Sequence, residues 1–252
     1  MRKAAHLELF AVPGLPEIRK DDDLAARIAN AARKAELSFK DGDILVVAQK
    51  IVSKAEGAVV ALETVKPSEK AHALAAELKK DPRAIELVLR ESRRILRSER
   101  VLITETRHGF VCANAGVDHS NVPGEDRVTL LPQDPDGSAE KLAKELSKKT
   151  RKRVAVIISD TFGRAWRLGL TNVAIGAFGL PVLLDLRGTH DREGKPLTAT
   201  VFAVADELAA AAGLLMGKSE GTPAVIVRGY RYKPASEEAA SIIRPAAEDL
   251  FR

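Results

Sequence analysis

Short apolar runs, each closing on a polar cluster, organise this chain. Residues 154–158 (Val-Ala-Val-Ile-Ile) place small and β-branched side chains in succession without polar alternation, the pattern of a strand buried on both faces. Residues 44–48 (Ile-Leu-Val-Val-Ala) repeat it, and residues 224–228 read as a further strand. Residues 101–105 and 109–114 predict two strands joined through Thr106-Arg107-His108-Gly109, and shorter strands are predicted at 7–10 and 181–184. Helical periodicity and capping residues predict helices at 22–36, 68–79, 82–97, 138–149, 206–216 and 236–250, with Asp134-Pro135-Asp136-Gly137 as a turn. This alternation gives an α/β or an α+β protein without choosing between them. At 252 residues the chain forms one large or two small domains, and no internal repeat or low-complexity linker divides it.

The polar clusters carry the candidate chemistry. The run at 154–158 opens into Ser159-Asp160-Thr161-Phe162-Gly163-Arg164, which offers a carboxylate, a hydroxyl and a guanidinium within a few positions. In open sheets containing parallel strands, ligands bind beyond the strands' carboxyl ends. Asp and Thr oxygens suit a hard divalent cation, and Arg suits phosphate or carboxylate. Read blandly, the same residues make a turn. The strand at 109–114 likewise runs into Ala115-Gly116-Val117-Asp118-His119-Ser120-Asn121, so Asp118 and Asp160 are placed where they could share one cation. After the strand at 44–48 comes Gln49-Lys50-Ile51-Val52-Ser53-Lys54-Ala55-Glu56-Gly57, whose Lys50 and Lys54 share a face if the segment is helical. Lysine at such a junction serves as a point charge for phosphate oxygens. Arg164 and Arg167, three apart, would face one way on a helix and suit an anion.

Five motifs occur in order: Val12-Pro13-Gly14-Leu15-Pro16-Glu17-Ile18, the segment 49–57, the segment 114–121, the segment 159–164 and Leu215-Met216-Gly217-Lys218. Together they resemble the coenzyme F420 glutamate ligases, also called gamma-glutamyl ligases, over roughly residues 8–230. The resemblance implies an α+β (mixed α/β) fold of the family's own and an intertwined homodimer. It implies a GTP-dependent reaction in which L-glutamate is joined by amide bonds to a deazaflavin F420 precursor, through an acyl phosphate and with divalent metal. Mn or Mg is expected, as two ions, with K+ a further candidate. By position, Asp118 and Asp160 resemble ligands of one metal and Thr161 a ligand of the second. Asn121 resembles the family's GTP-contacting Asn, and Gln49, Lys50 and Lys54 its basic nucleotide-binding segment. The loop Leu15-Pro16-Glu17-Ile18 matches the N-terminal nucleotide loop, and Met216-Gly217-Lys218-Ser219-Glu220-Gly221 belongs to the loop that closes on the nucleotide. Lys50, Lys54 and Arg164 are the candidate catalytic cations. In the archaeal pattern an acidic residue follows Met-Gly. Here Lys218 stands there, with Glu220 two positions on, so either Glu220 supplies the second metal's carboxylate or Lys218 replaces metal charge. Some actinobacterial relatives carry a flavin-dependent oxidoreductase domain after the ligase domain, and none is expected in this chain.

Gly217-Lys218-Ser219 also imitates the end of a P-loop, but the first glycine of that motif would fall on Ala212, inside a helical pattern, so a Walker-type site is rejected. His119 and His190 are candidates for hydrogen bonding only. The polar loop at 185–194 reads as a solvated connector that could carry substrate contacts, and Trp166 as packing or as a stacking surface. Cys112 reads as an inert core residue.

Composition is ordinary for a globular protein, with 45% apolar and 30% charged residues. One cysteine excludes an intrachain disulfide, and the absence of a signal peptide or a long apolar stretch makes cytoplasm the expectation. The net charge is +5 with a pI near 9.3. Two basic clusters contribute: Arg90, Arg93, Arg94, Arg97 and Arg100 on one predicted helix, and Lys148, Lys149, Arg151, Lys152 and Arg153 before the strand at 154–158. They raise nucleic-acid binding as an alternative, against which stand 4% aromatic content and the absence of an RNA-binding or helix-turn-helix signature. A metal-dependent phosphohydrolase, or an amide ligase with another acceptor, would use the same two Asp residues. No nucleic-acid or membrane partner is expected.

Overall fold

The apolar runs at 44–48, 154–158 and 224–228 enter one five-stranded sheet, and the remaining strands build three small sheets. The computed structural model describes residues 5–122, 124, 126–218 and 220–249. The chain opens with β1 (Glu8–Ala11), α1 (Leu24–Lys34), β2 (Ile44–Ala48), α2 (Gln49–Ala55) and β3 (Val59–Ala61). It continues through α3 (Glu69–Leu78), α4 (Pro82–Arg90), β4 (Ser92–Arg97), β5 (Ile103–Thr106), β6 (Val111–Ala113) and β7 (Arg127–Thr129). Then come α5 (Pro135–Thr150), β8 (Ala155–Arg164), β9 (Arg167–Phe178), β10 (Leu184–Asp185), β11 (Val201–Phe202), α6 (Val204–Met216) and β12 (Ala224–Arg228).

The main sheet has the order β1-β12-β2-β8-β9. Only β2 and β8 pair in parallel, from Ile44↔Ala155 to Ala48↔Ser159, and the other neighbours are antiparallel. The fold is therefore mixed. Burial explains the apolar runs: the first four residues of β2 and β12 and the first five of β8 are all buried. α5 packs on β8 and β9, α1 on α5, and α6 on β9, β12 and β1. A second group of buried side chains, including Leu62, Ile85, Leu102, Val117 and Val128, gathers α3 and α4 with the sheets β3-β7 and β4-β5-β6. Among the described residues no helix is long and apolar enough to cross a membrane.

Helix starts follow the capping residues. Asp23 accepts from the Ala26 N–H, Ser68 from Ala71, Asp81 from Arg83 and Asp134 from Gly137. The stretch predicted as a turn at 134–137 is thus the cap and first turn of α5, with Pro135 where its missing N–H does no harm.

Five further expectations are corrected. The helix predicted at 82–97 ends at Arg90, and Ser92–Arg97 pairs with β5. Pairing overrides local propensity here, and Arg94 reaches Glu105 at 2.7 Å while Arg107 reaches Glu91 at 2.7 Å. The first basic cluster is accordingly split between a helix end and an ion-paired strand. The helix predicted at 236–250 is replaced by 3-10 turns at Ala239–Ile242 and Ala246–Glu248, because Pro245 would break a helical ladder. Side chains pin this segment instead: Glu237 accepts from the Val182 N–H at 3.0 Å, and Asp136 accepts from Ala177 and Ala239. Of 181–184 only Leu184 is strand, in a two-stranded ribbon with β11. Finally, residues 159–164 are not a turn, since β8 runs on to Arg164 and pairs with β9 throughout. Arg164 and Arg167 face each other across the hairpin end and share no helix.

Gly176 on β9 sits where a Cβ would lie 2.4 Å from the Pro135 carbonyl oxygen. Gly176→Ala should therefore push α5 off the sheet and lower stability by about 1–3 kcal/mol, read from urea unfolding. Unchanged stability would show that this contact is loose.

Candidate active site

The site lies where the parallel pair β2–β8 ends. β2 stops at Ala48 and turns directly into α2, while β8 continues past Ser159. Asp160 thus stands on an extended strand with no parallel neighbour beside it. The second carboxylate arrives from the other core: after β6 the chain makes a 3-10 turn at Asn114–Gly116, and Asp118 is anchored by an isolated bridge to Thr129. The Asp118 N–H donates to the Thr129 carbonyl at 3.1 Å, and the Thr129 N–H returns a bond of 2.9 Å.

Asp118 is heavily partnered. It takes the Ser120 N–H at 2.8 Å and the Ser120 hydroxyl at 3.0 Å, and Lys50 Nζ lies 2.7 Å from its Oδ2. Lys50 also donates to the Ser120 carbonyl at 2.9 Å and to its hydroxyl. Burial pushes the Asp118 carboxyl up, but the hydrogen bonds from Lys50 and Ser120 and the lysine charge outweigh it, so the carboxyl is held below its ordinary value. Asp160 is the reverse case. Burial is the largest influence and pushes its carboxyl up to about 6, the nearby Asp118 charge adds to the rise, and the Thr161 N–H with Lys50 and Lys218 only partly offsets it. Two carboxylates and two lysines from four separate segments therefore share one field.

The other predicted residues divide. Lys54 is buried and its Nζ meets Glu17 at 2.5 Å, which ties α2 to the loop Leu15-Pro16-Glu17-Ile18, where Ile18 is also buried. Beside Lys54 opens a cleft of about 730 Å³ whose lining includes Ile18, Lys20 and Arg127. Gln49 is buried; its Oε1 accepts from Ser53 at 2.8 Å and its Nε2 has no partner among the described residues. Asn121, in a left-handed conformation with φ 56°, donates to the Lys218 carbonyl at 3.2 Å and links the Asp118 loop to the loop after Met216. Gly217, with φ 52°, ends α6, and the Glu220 side chain lies against it. Gly221 also has positive φ, and Ser219 lies outside the described residues.

Thr161 follows Asp160 on a strand, so alternation turns the two side chains to opposite faces. The Thr161 hydroxyl donates to Asn172 Oδ1 at 3.2 Å, and Asn172 packs against α6. Arg164 does not join the cluster: four residues of strand, roughly 13 Å, separate it from Asp160. Its guanidinium donates to the Leu168 carbonyl at 2.8 Å. Sequence reasoning gave no role to Ser120 or Asn172. Asn172 stands alone as the amide in Leu170-Thr171-Asn172-Val173-Ala174, a signal too weak to find it.

Among the described residues no group of three or more His, Cys, Asp or Glu converges as a metal site. Asp118 and Asp160 by themselves still fit a magnesium-like ion, which takes few protein ligands and completes its shell from water and substrate phosphates. The raised Asp160 carboxyl marks where positive charge would be stabilised.

A mixed fold thus brings paired acids and lysines together at one end of its main sheet. The family model described as F420-0:gamma-glutamyl ligase matches residues 14–229. Coenzyme F420:L-glutamate ligase of Methanothermobacter thermautotrophicus is 46% identical over 250 residues, covering 98% of this chain and 99% of that protein. The namesake of Methanopyrus kandleri is 46% identical over 254 residues, covering 98% of each chain. That of Archaeoglobus fulgidus is 44% identical over 247 residues, covering 98% of this chain and 96% of its own. The chain belongs to the F420-0:gamma-glutamyl ligase family.

The raised Asp160 carboxyl has a pH consequence in chelator-containing buffer. With the folded value near 6 and the unfolded value near 3.8, its stabilising contribution is complete below pH 3.8 and is lost as pH rises through 6. Metal-free Asp160→Asn should exceed the parent in stability above pH 6 by on the order of 2 kcal/mol and match it near pH 4, by urea melts. A constant difference across that range would contradict the assignment.

Proposed function

We propose that this protein joins the amine of L-glutamate to a terminal carboxylate of the deazaflavin F420 precursor at the expense of GTP. The observation that supports this most is the convergence of Asp118, Asp160, Lys50 and Lys218, which suits a transferring phosphoryl group rather than a neutral substrate. In the reaction, the precursor carboxylate takes the γ-phosphoryl of GTP, giving an acyl phosphate and GDP. The glutamate amine then attacks the acyl carbon, phosphate leaves with its bonding electrons, and the nitrogen sheds a proton as the amide forms. Further glutamates would add through γ-carboxyl groups by the same steps.

Asp118 and Asp160 would hold one Mn or Mg ion, with Thr161 and Glu220 the remaining candidates for a second. Such an ion would supply positive charge against the phosphates. Lys50, held beside Asp118 and Ser120, would present its charge to phosphate oxygens. Lys218 enters from the loop after α6, and Asn121 holds that loop by its backbone. Gln49 keeps an unspent donor for the nucleotide, and the cleft beside Lys54 gives it room. Arg164 has no place in this scheme within one chain.

We also propose a homodimer built on the β8–β9 arm. Trp166, Leu168 and Leu170 are 80%, 98% and 60% exposed there, more apolar surface than a lone arm would leave in water. Leu168→Glu should shift sedimentation from dimer toward monomer; a parent that sediments as a monomer would end this reading.

The direct test follows product mass with precursor, L-glutamate, GTP and Mn. Gain of glutamyl units dependent on both GTP and metal is expected, and Asp160→Asn should lower kcat at least about 100-fold with the fold retained. GTP loss without glutamylation would instead favour the phosphohydrolase, and normal turnover of the variant would remove Asp160 from the site.

A further inference from the structure

A cleft of about 1540 Å³ opens far from the acid–lysine cluster. Its lining includes Asp43, just before β2, Val154 and Ala155 at the start of β8, and Arg228 at the end of β12. Because β2 and β8 run in parallel, their starts lie together at the sheet end opposite Asp160.

Its surface is apolar and aromatic within and basic around. Val154, Ala155 and Phe178 are apolar lining. Tyr230 and Tyr232 stand stacked, their centroids 6.2 Å apart and their planes 14° from parallel. The carboxylates nearby are already committed. Asp43 takes two bonds from Arg228, at 2.8 and 2.7 Å, and Asp41 accepts the Arg153 N–H at 2.8 Å and Lys152 Nζ at 3.5 Å. Lys144 is paired with Glu140 and lies 6.0 Å from the Phe178 ring. Lys40, Lys148, Arg153 and Arg231 also line the cleft, and none has a side-chain ion pair among the described residues.

We infer that this cleft binds an aromatic small molecule carrying more than one negative charge. Flat apolar area with stacked phenols accepts a ring system, and four uncommitted cations at its edge accept acidic groups. A second copy docking here about a two-fold axis would set this basic rim against itself. A nucleic-acid backbone would use the rim but leave the apolar recess empty. The inference uses no residue of the Asp118–Asp160 site and stands apart from the ligase reading.

Flavin mononucleotide, a tricyclic ring with a phosphate, is a suitable probe in metal-free buffer with chelator, because its fluorescence is quenched on stacking against tyrosine. Saturable quenching is expected that weakens with salt, with riboflavin, which lacks the phosphate, binding several-fold more weakly. The double variant Lys148→Glu/Arg153→Glu should bind at least about tenfold more weakly, and Asp160→Asn should bind like the parent. Melting curves check the fold of each variant; if the double variant does not fold, Arg231→Glu at an exposed position repeats the test. Absence of saturable quenching up to about 1 mM, or binding abolished by Asp160→Asn and untouched by the rim variants, would overturn the inference. So would a rim variant that only converts a dimer to monomers, which would assign the cleft to a second copy.

Discussion

Bringing Asp118 up to Asp160 costs free energy, because two like charges meet where burial already disfavours ionisation. The protein offsets that cost for one carboxylate only. Asp118 receives Lys50 and both hydrogen-bonding groups of Ser120, whereas Asp160 keeps the penalty. The asymmetry leaves one acid held as an anion and the other as the carboxyl on which added positive charge would act most. A pair arranged only for stability would have been given a second lysine at bonding distance.

The main sheet maintains this geometry. The parallel register of β2 against β8 ends at Ala48↔Ser159, so α2 can carry Lys50 past the end of β2 while β8 carries Asp160 beyond it. Asp118 comes from the smaller core and is locked by its bridge to Thr129, and Asn121 then reaches the loop that bears Lys218. Three independent tethers hold four charges together. The bridge to Thr129 and the Asn121 bond lie outside the main sheet, so each positions a charge without carrying the sheet itself.

Much of the main sheet was legible because uninterrupted apolar runs have one economical use, a strand covered on both faces. Val154 to Ile158 announced β8 and Ile44 to Ala48 announced β2. The extension of β8 through Gly163 and Arg164 was hidden, since Asp, Thr and Gly signal turns locally, and only pairing with β9 keeps them extended. Arg93 to Arg97 read as helix for a parallel reason: arginine favours helices, and the pairing with β5 that prevails is invisible in sequence. Asp118 and Asp160 were singled out because both follow apolar runs, and the structure brings the two near each other. Ser120, which holds Asp118 and Lys50 together, was hidden because a serine between His119 and Asn121 has no distinguishing neighbours.

Charge balance gives Lys218 its meaning. Asp118 and Asp160 against Lys50 and Lys218 sum to about zero when all four are ionised. A polyphosphate entering this space adds several negative charges that two lysines already facing carboxylates cannot neutralise. Lys218 acts on Asp160 through space, with no ion pair of its own among the described residues, from a loop that opens on Gly217. Lys218 is carried by the loop after α6, and Lys50, bound to Asp118 and Ser120, by α2.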